Sequence, residues 1–71
     1  MMNIDKEVID NIKEYITDND ISLKKLAEES KIPYHRLWTI LNQNYTITIG
    51  DYVSICIALR EPFGFFIPNA N

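Results

Sequence analysis

The chain has 71 residues, of which 46% are hydrophobic, and its formal net charge is −3 at pH 7. This length allows one small domain, residues 1–71, and the apolar content is sufficient for a core and too high for a disordered chain. With only two glycines and three prolines, the composition argues against a loop-rich or β-rich design and favours short helices joined by tight turns.

The sequence carries no sign of export or membrane insertion. Residues 1–6 lead directly into a charged stretch without an apolar signal core, and no apolar run approaches the ~20 residues of a membrane span. The single cysteine, Cys56, cannot form an internal disulfide, so we interpret it as a small buried hydrophobe in a reducing compartment. These features predict a soluble cytoplasmic protein without a membrane partner.

The first segment is predicted to be an amphipathic helix from about Ile4 to Thr17, followed by a loop at residues 17–20. Charged residues fill the positions between its regularly spaced apolar residues. The buried stripe of this helix is expected to contain Ile4, Val8, Ile9, Ile12, Tyr15 and Ile16.

Two shorter helices are expected in the middle of the chain. Ser22 offers an N-cap hydroxyl to the second helix, and Pro33 lies at or just before the first position of the third. The buried side of the second helix is predicted to contain Leu23, Leu26, Ala27 and Ser30. That of the third contains Tyr34, Leu37, Ile40 and Leu41, and residues 42–44 are expected to end it.

A fourth helix is expected after Thr48, its predicted N-cap, with residues 45–47 as the connection. One apolar stripe of this helix contains Ile49, Tyr52, Ile55, Cys56 and Leu59, and a second contains Val53 and Ile57. Since a helix that is apolar on two sides needs a partner on both, the second stripe calls for a further contact. Pro62 opens a final turn in which Phe63 and Phe66 are expected to cover the core, and residues 68–71 are expected to fray.

The stretch from Ser22 to Asn42, S-L-K-K-L-A-E-E-S-K-I-P-Y-H-R-L-W-T-I-L-N, resembles the helix-turn-helix of the phage-repressor family (Cro-like, lambda-repressor-like, XRE-type). The family places Leu-Ala in its second helix, an aliphatic residue after the turn, and Leu and Ile in its recognition helix. The residues that stand at those positions are Leu26, Ala27, Ile32, Leu37 and Ile40. Farther on, T-I-G-D-Y-V-S-I-C-I-A-L resembles the family's fourth helix and P-F-G-F-F its short fifth.

The resemblance covers about residues 4–67 and implies an all-α fold, a compact bundle of four or five helices with a helix-turn-helix motif at about residues 22–42. Lys31 stands where the family commonly has a glycine in the turn. If the backbone there is left-handed, lysine costs roughly 1 kcal/mol relative to glycine. Leu23 stands where the family often has a phosphate-binding glutamine, and the outer face of the third helix is larger and more aromatic than usual.

The function that the resemblance implies is a sequence-specific DNA-binding regulator, such as a phage or mobile-element repressor. Its partner would be double-stranded DNA, with the third helix in the major groove, which admits an α-helix. The expected base-contacting residues are Tyr34, His35, Arg36, Trp38 and Thr39. The expected phosphate-contacting residues are Ser22, Lys24, Lys25, Lys31 and Asn42. Arg36 suits guanine, which an arginine can bind through two hydrogen bonds.

The charge distribution supports an anionic partner for the middle of the chain. Six acidic residues outnumber two lysines over residues 1–21, whereas four basic residues outnumber two acidic ones over residues 22–45. That polarity suits a domain with one face turned to an anion. The overall acidity argues in the other direction, since nucleic-acid-binding domains are usually basic.

Plainer interpretations remain open for each of these residues. Lys24, Lys25 and Lys31 are also typical of an ordinary solvated surface, as is His35. Arg36 has a possible ion-pair partner in Glu29. Trp38 either packs over the edge of the core or is an exposed anchor for a protein partner, because exposed tryptophans dominate many protein interfaces. The alternative function is therefore a protein-binding module or inhibitor that uses the same fold.

An interface between two copies of the chain is also expected, because so small a domain has difficulty burying all of its apolar residues. The residues assigned to this homodimer interface are Val53, Ile57, Phe63 and Phe65. The resembling family forms two-fold dimers near this end of the fold.

The sequence offers no catalytic constellation. It contains no metal-spaced His/Cys cluster, no glycine-rich phosphate loop and no carboxylate pair of the kind that serves acid–base chemistry. We therefore expect a binding protein without enzymatic activity, cofactor or metal.

Overall fold

Helices make up nearly all of the regular structure. A computed structural model describes residues 4–44 and 46–68, and these residues contain no β-strand. The α-helices are α1 (Ile4–Asp18), α2 (Leu23–Ser30), α3 (Tyr34–Thr39) and α4 (Ile49–Leu59), and a π-helical turn (Ile40–Asn44) directly continues α3. The all-helical fold class is confirmed for this part of the chain. The expected fraying of residues 69–71, like the placement of Tyr45, lies outside the described residues.

Side-chain caps define where α2 and α4 begin. The Ser22 hydroxyl oxygen accepts a hydrogen bond from the backbone N–H of Lys25 at 3.3 Å, and the Thr48 hydroxyl oxygen accepts one from the N–H of Asp51 at 3.1 Å. Each cap satisfies one of the four N–H groups that lack a partner at a helix start. Pro33 precedes the first residue of α3 with an extended backbone. All three predicted helix starts are confirmed.

The core lies where α2 packs against α3 and α4, and where α1 packs against the π turn. Its fully buried members come from every helix, which ties all four into one cluster. The buried apolar residues are Val8, Ile9, Ile12, Leu26, Ala27, Ile32, Leu37, Ile40, Leu41, Ile55, Cys56 and Phe66. The expected burial of Cys56 is confirmed.

Four residues expected in the core are instead exposed: Ile4, Tyr34, Ile49 and Phe63. Ile4, Tyr34 and Ile49 are each the first residue of a helix. Because the Cα–Cβ bond tilts toward the helix N-terminus, such a side chain projects beyond the end of the helix, away from the packed turns. Ile49 is the extreme case, with 83% of its surface exposed.

The end of the third helix also differs from the prediction. Residues 42–44 were expected to terminate it, but the backbone remains helical to Asn44 in the wider π form. A π turn inserts an extra residue relative to the α-helix. Ile40 and Leu41, the first two residues of this turn, are both buried.

Residues 61–67 form a strap that returns along α1 and α4. The only fully buried ring in the strap is that of Phe66, which is 1% exposed. It meets the rings of Tyr15 and Tyr52 edge to face, with centroid distances of 5.5 Å and 6.5 Å. This geometry adds to the stabilisation from burial alone. Phe63 lies in the same turn and is 56% exposed, so the expectation that both rings cover the core is wrong for Phe63.

Hydrogen bonds fix the strap at three points along its length. The Asn11 side-chain amide donates to the Phe66 carbonyl at 2.9 Å, and the Tyr15 hydroxyl donates to a carboxylate oxygen of Glu61 at 2.7 Å. The Tyr52 hydroxyl donates to the Phe63 carbonyl. The strap is therefore an ordered part of the fold that contacts both α1 and α4.

The backbone of the turn between α2 and α3 is left-handed, which is the condition under which the sequence analysis expects lysine at position 31 to cost stability relative to glycine. Lys31, the C-cap of α2, has φ 64° and ψ 22°. We expect Lys31→Gly to raise the free energy of unfolding by up to about 1 kcal/mol, because glycine adopts this conformation without steric cost. The matched control is Lys25→Gly inside α2, which should lower it by about 1 kcal/mol. Urea denaturation measures both, and a destabilised Lys31→Gly variant would contradict the argument.

Candidate functional site

The exposed surface of α3 is the best candidate for a functional site. Leu37 is fully buried and anchors the helix. Its neighbours in sequence therefore face outward, and we define the α3 face as Tyr34, His35, Arg36, Trp38 and Thr39. Tyr34 is 51% exposed and Trp38 is 38% exposed, while Thr39 is partly buried. The structure thus brings together all five residues predicted to contact bases.

Two polar side chains near this face each use one donor in a hydrogen bond within the helix. The Thr39 hydroxyl donates to the His35 carbonyl at 2.9 Å, and the Asn42 amide donates to the Trp38 carbonyl at 3.0 Å. Both side chains keep an oxygen that can accept a further hydrogen bond. Thr39 is consequently better suited to accept from a partner than to donate to it, whereas Asn42 keeps a second amide N–H that can still donate.

Arg36 forms the ion pair that dominates the site. Its Nη2 atom lies 2.8 Å from a carboxylate oxygen of Asp51 in the first turn of α4. The Arg36 side chain is 55% exposed, whereas that of Asp51 is only 12% exposed. The expectation that Arg36 pairs with a nearby carboxylate is confirmed, but the partner is Asp51 and not Glu29, the example suggested by the sequence.

Asp51 is a functional candidate that the sequence reading missed. The sequence analysis assigns Asp51 no role, although it is the single charged residue in the apolar sequence of α4. A carboxylate in the first turn of a helix is stabilised by the partial positive charge of that end. Such an isolated charge in an apolar helix is a signal that could have identified it. The pair borders an open depression of about 260 Å³.

The lysines separate into two groups. Lys24 and Lys31 line the same shallow depression as Tyr34, next to the start of α3. Lys25 instead lines a different depression with Glu29 and Arg60, near the end of α4. All three lysines are exposed, and no ion pair among residues 4–44 and 46–68 includes them. Lys24 and Lys31 are therefore the lysines placed to act together with the α3 face.

The residues assigned to a dimer interface lie on two elements. Ile57 on α4 is 63% exposed, and Val53, one turn earlier, is partly buried. Phe63 and Phe65 lie in the strap and are about half exposed. The ring of Phe65 contacts that of Tyr15 on α1 at a centroid distance of 5.6 Å. Part of the Phe65 ring surface is therefore covered by α1 and is not available to a second copy of the chain.

Groups with a shifted pKa lie under the strap and away from the α3 face. Burial, together with a smaller contribution from a hydrogen bond with Cys56, raises the pKa of Tyr52 to about 12. Burial also raises the pKa of the Cys56 thiol. The hydrogen bond to Glu61 raises the pKa of Tyr15. These shifts favour the neutral forms of all three groups, so the nucleophilic thiolate of Cys56 is disfavoured.

Within residues 4–44 and 46–68, no group of three or more His, Cys, Asp or Glu side chains could hold a metal ion. In the same part of the chain, no helix combines the length and the apolar character needed to cross a membrane.

Comparison with known proteins gives no family assignment. The chain matches no protein-family model, no curated protein and no solved structure.

Proposed function

We propose that the chain is a sequence-specific DNA-binding regulator of the helix-turn-helix type, acting in the cytoplasm by binding and not by catalysis. In this proposal α2 and α3 are the two helices of the motif, and α3 enters the major groove. The observation that carries it is the outward presentation of the α3 face on a helix anchored by the fully buried Leu37. An exposed short helix of this kind has the dimensions of the groove.

The connection between the two helices supports this assignment. Only residues 31–33 separate α2 from α3, and Ile32 in the middle of them is 5% exposed. A tight turn with a buried aliphatic residue holds the second helix at a fixed angle to the first, which a groove-reading helix requires. The left-handed backbone at Lys31 produces the sharp change of direction.

The local charge around α3 also supports an anionic partner. Lys24 and Lys31 lie beside Tyr34 in one shallow depression, where they are placed to contact phosphates next to the start of α3. The free N–H groups at the start of α2, next to Ser22, suit a further phosphate. The acidic net charge of the chain weakens binding at a distance, so affinity depends on this local basic region.

The test is a titration of the full chain against mixed-sequence duplex DNA, followed by fluorescence anisotropy at several salt concentrations. We expect weak binding at low salt that falls steeply between about 50 and 200 mM, because each neutralised phosphate releases counterions. A duplex selected from a random library should bind more tightly than the mixed pool. An absence of binding even at the lowest salt would reject the proposal.

A second candidate function, a protein-binding module, is favoured by a specific observation. Trp38 and Tyr34 expose aromatic surface on α3, and the one arginine on this face is already paired with a carboxylate. Exposed tryptophan and tyrosine are typical of protein interfaces. Failure of the DNA titration would leave this candidate as the better explanation of the α3 face.

The proposed regulator acts as a homodimer through the apolar residues of α4 and the strap, which would set two copies of α3 about one helical turn of DNA apart, ~34 Å. We expect the double change Val53→Asp and Ile57→Asp to yield monomers, because four carboxylates would meet in an apolar contact. Sedimentation velocity measures the mass. The control is Asp18→Asn, at an exposed position of α1, which should leave the mass unchanged. A wild-type chain that is itself monomeric would remove the dimer from the proposal.

A further inference from the structure

The Arg36–Asp51 pair carries a consequence for recognition that rests on the proposed function. We propose that Asp51 is a specificity-determining residue that positions the Arg36 guanidinium and balances its charge. Arg36 then favours the paired acceptors of a base edge over a phosphate.

The first step is the geometry of the pair. A guanidinium has five N–H donors in one plane, and the contact with Asp51 is made by Nη2 at 2.8 Å. No other hydrogen bond of this guanidinium is formed among residues 4–44 and 46–68. With 55% of the side chain exposed, the remaining donors are accessible to a partner. The ion pair therefore fixes Nη2 of the guanidinium and leaves its other N–H donors available to a partner.

The second step is the rigidity of the carboxylate. Asp51 is 8% exposed and lies in the first turn of α4, where its backbone N–H is bound by the Thr48 cap. A buried carboxylate that loses its partner is strongly unfavourable, so Arg36 is held in place. An arginine that is fixed before binding loses less conformational entropy on contact with a partner. Asp51 thus preorganises a side chain that would otherwise sample many rotamers.

The third step is electrostatic. The Asp51 carboxylate, 2.8 Å from the guanidinium, offsets the positive charge of Arg36 at a distance, so a phosphate gains little from approaching it. Guanine presents two acceptors at a fixed spacing, and a positioned guanidinium matches them through directional hydrogen bonds. Lys24 and Lys31 have no ion-pair partner in the described part of the chain, and they supply the general attraction to DNA instead.

The experiment compares the full chain with its Asp51→Asn variant, which removes the charge and nearly preserves the shape. Each protein is titrated with the selected duplex and with mixed-sequence duplex over a range of salt. For Asp51→Asn we expect tighter binding to mixed DNA and a salt dependence steeper by about one phosphate, a slope change of ~0.9. The ratio of selected to mixed affinity should fall at least about fivefold.

The matched control is Glu28→Gln, which removes one negative charge beside Lys24 and Lys31 and leaves the pair intact. Glu28→Gln should raise the affinity for both duplexes equally and leave the ratio of selected to mixed affinity unchanged. A second variant, Arg36→Lys, preserves the charge balance with Asp51 but lacks the planar fork. Arg36→Lys should keep the affinity for mixed DNA and lose the preference for the selected duplex. If circular dichroism shows that Asp51→Asn is unfolded, Arg36→Lys becomes the test of the proposed role of the pair.

The outcomes separate this inference from the proposed function. If the unmodified chain binds no DNA, both are rejected. If it binds DNA and Asp51→Asn keeps the wild-type ratio and salt slope, only the role of Asp51 is rejected. Full discrimination by Arg36→Lys would likewise overturn it, since no directional fork would then be needed.

Discussion

Replacing Phe66 with alanine is expected to lower the free energy of unfolding by about 3–5 kcal/mol, the usual cost of removing a buried phenylalanine ring. Phe66 is 1% exposed and meets three other rings edge to face: those of Tyr15, Tyr52 and Phe65. Native domains have about 5–15 kcal/mol in total, and small ones lie toward the lower end. The variant should therefore be largely unfolded at moderate urea concentrations, which circular dichroism measures directly.

Phe63→Ala is the matched control for this prediction. The residue type and the segment are the same, but the Phe63 ring is 56% exposed. The hydrogen bond from Tyr52 ends on the Phe63 carbonyl, so the backbone contact survives the substitution. We expect a loss of less than about 1 kcal/mol. Equal losses for the two variants would show that the strap does not bury Phe66 in preference to Phe63.

Arg36→Ala is expected to have the largest effect on DNA recognition. It should cost about 1–3 kcal/mol in affinity for the selected duplex and relax selectivity at one base pair. The variant loses the guanidinium and also leaves the Asp51 carboxylate buried without its partner, which destabilises the fold. Binding is therefore measured at a temperature where circular dichroism shows the variant to be folded, with duplexes substituted one base pair at a time.

Lys24→Ala supplies the comparison for Arg36→Ala. Lys24 is exposed on α2 and lies beside Tyr34, where we assign it to a phosphate. Its loss should weaken binding to every duplex alike and reduce the salt slope by about one. If Arg36→Ala shows this same uniform loss, with no change in base preference, its assignment as a base reader is wrong.

Local signals in the sequence predicted the elements of this fold well. The caps at Ser22 and Thr48 and the extended Pro33 are each determined by the chemistry of one residue and its immediate neighbours. The sequence located the turn at Lys31 but left its backbone conformation open, and the structure gives that conformation as left-handed. The spacing of apolar residues likewise predicted the buried sides of the helices, because periodicity depends only on which face is covered.

The sequence-based predictions were wrong where the burial of a residue, or its partner, depends on how other helices and the strap pack around it. A stripe that starts at the first residue of a helix predicts burial for Ile49, but no other helix reaches that end far enough to cover it. The choice between Phe63 and Phe66 depends on how the strap turns, which apolar content alone does not determine. The partner of Arg36 is 15 residues away in sequence, so only the tertiary fold could select Asp51 over Glu29.

The contacts of the strap have a consequence for the order of folding. Asn11 and Phe66 are separated by 55 positions, and Tyr15 and Glu61 by 46. Closing loops of that length costs conformational entropy before any contact forms, whereas α2, the turn and α3 are neighbours in sequence. The central helices can therefore pair early, and the strap docks late. Substitutions in the strap should accordingly speed unfolding more than they slow refolding, since its contacts are largely absent from the transition state.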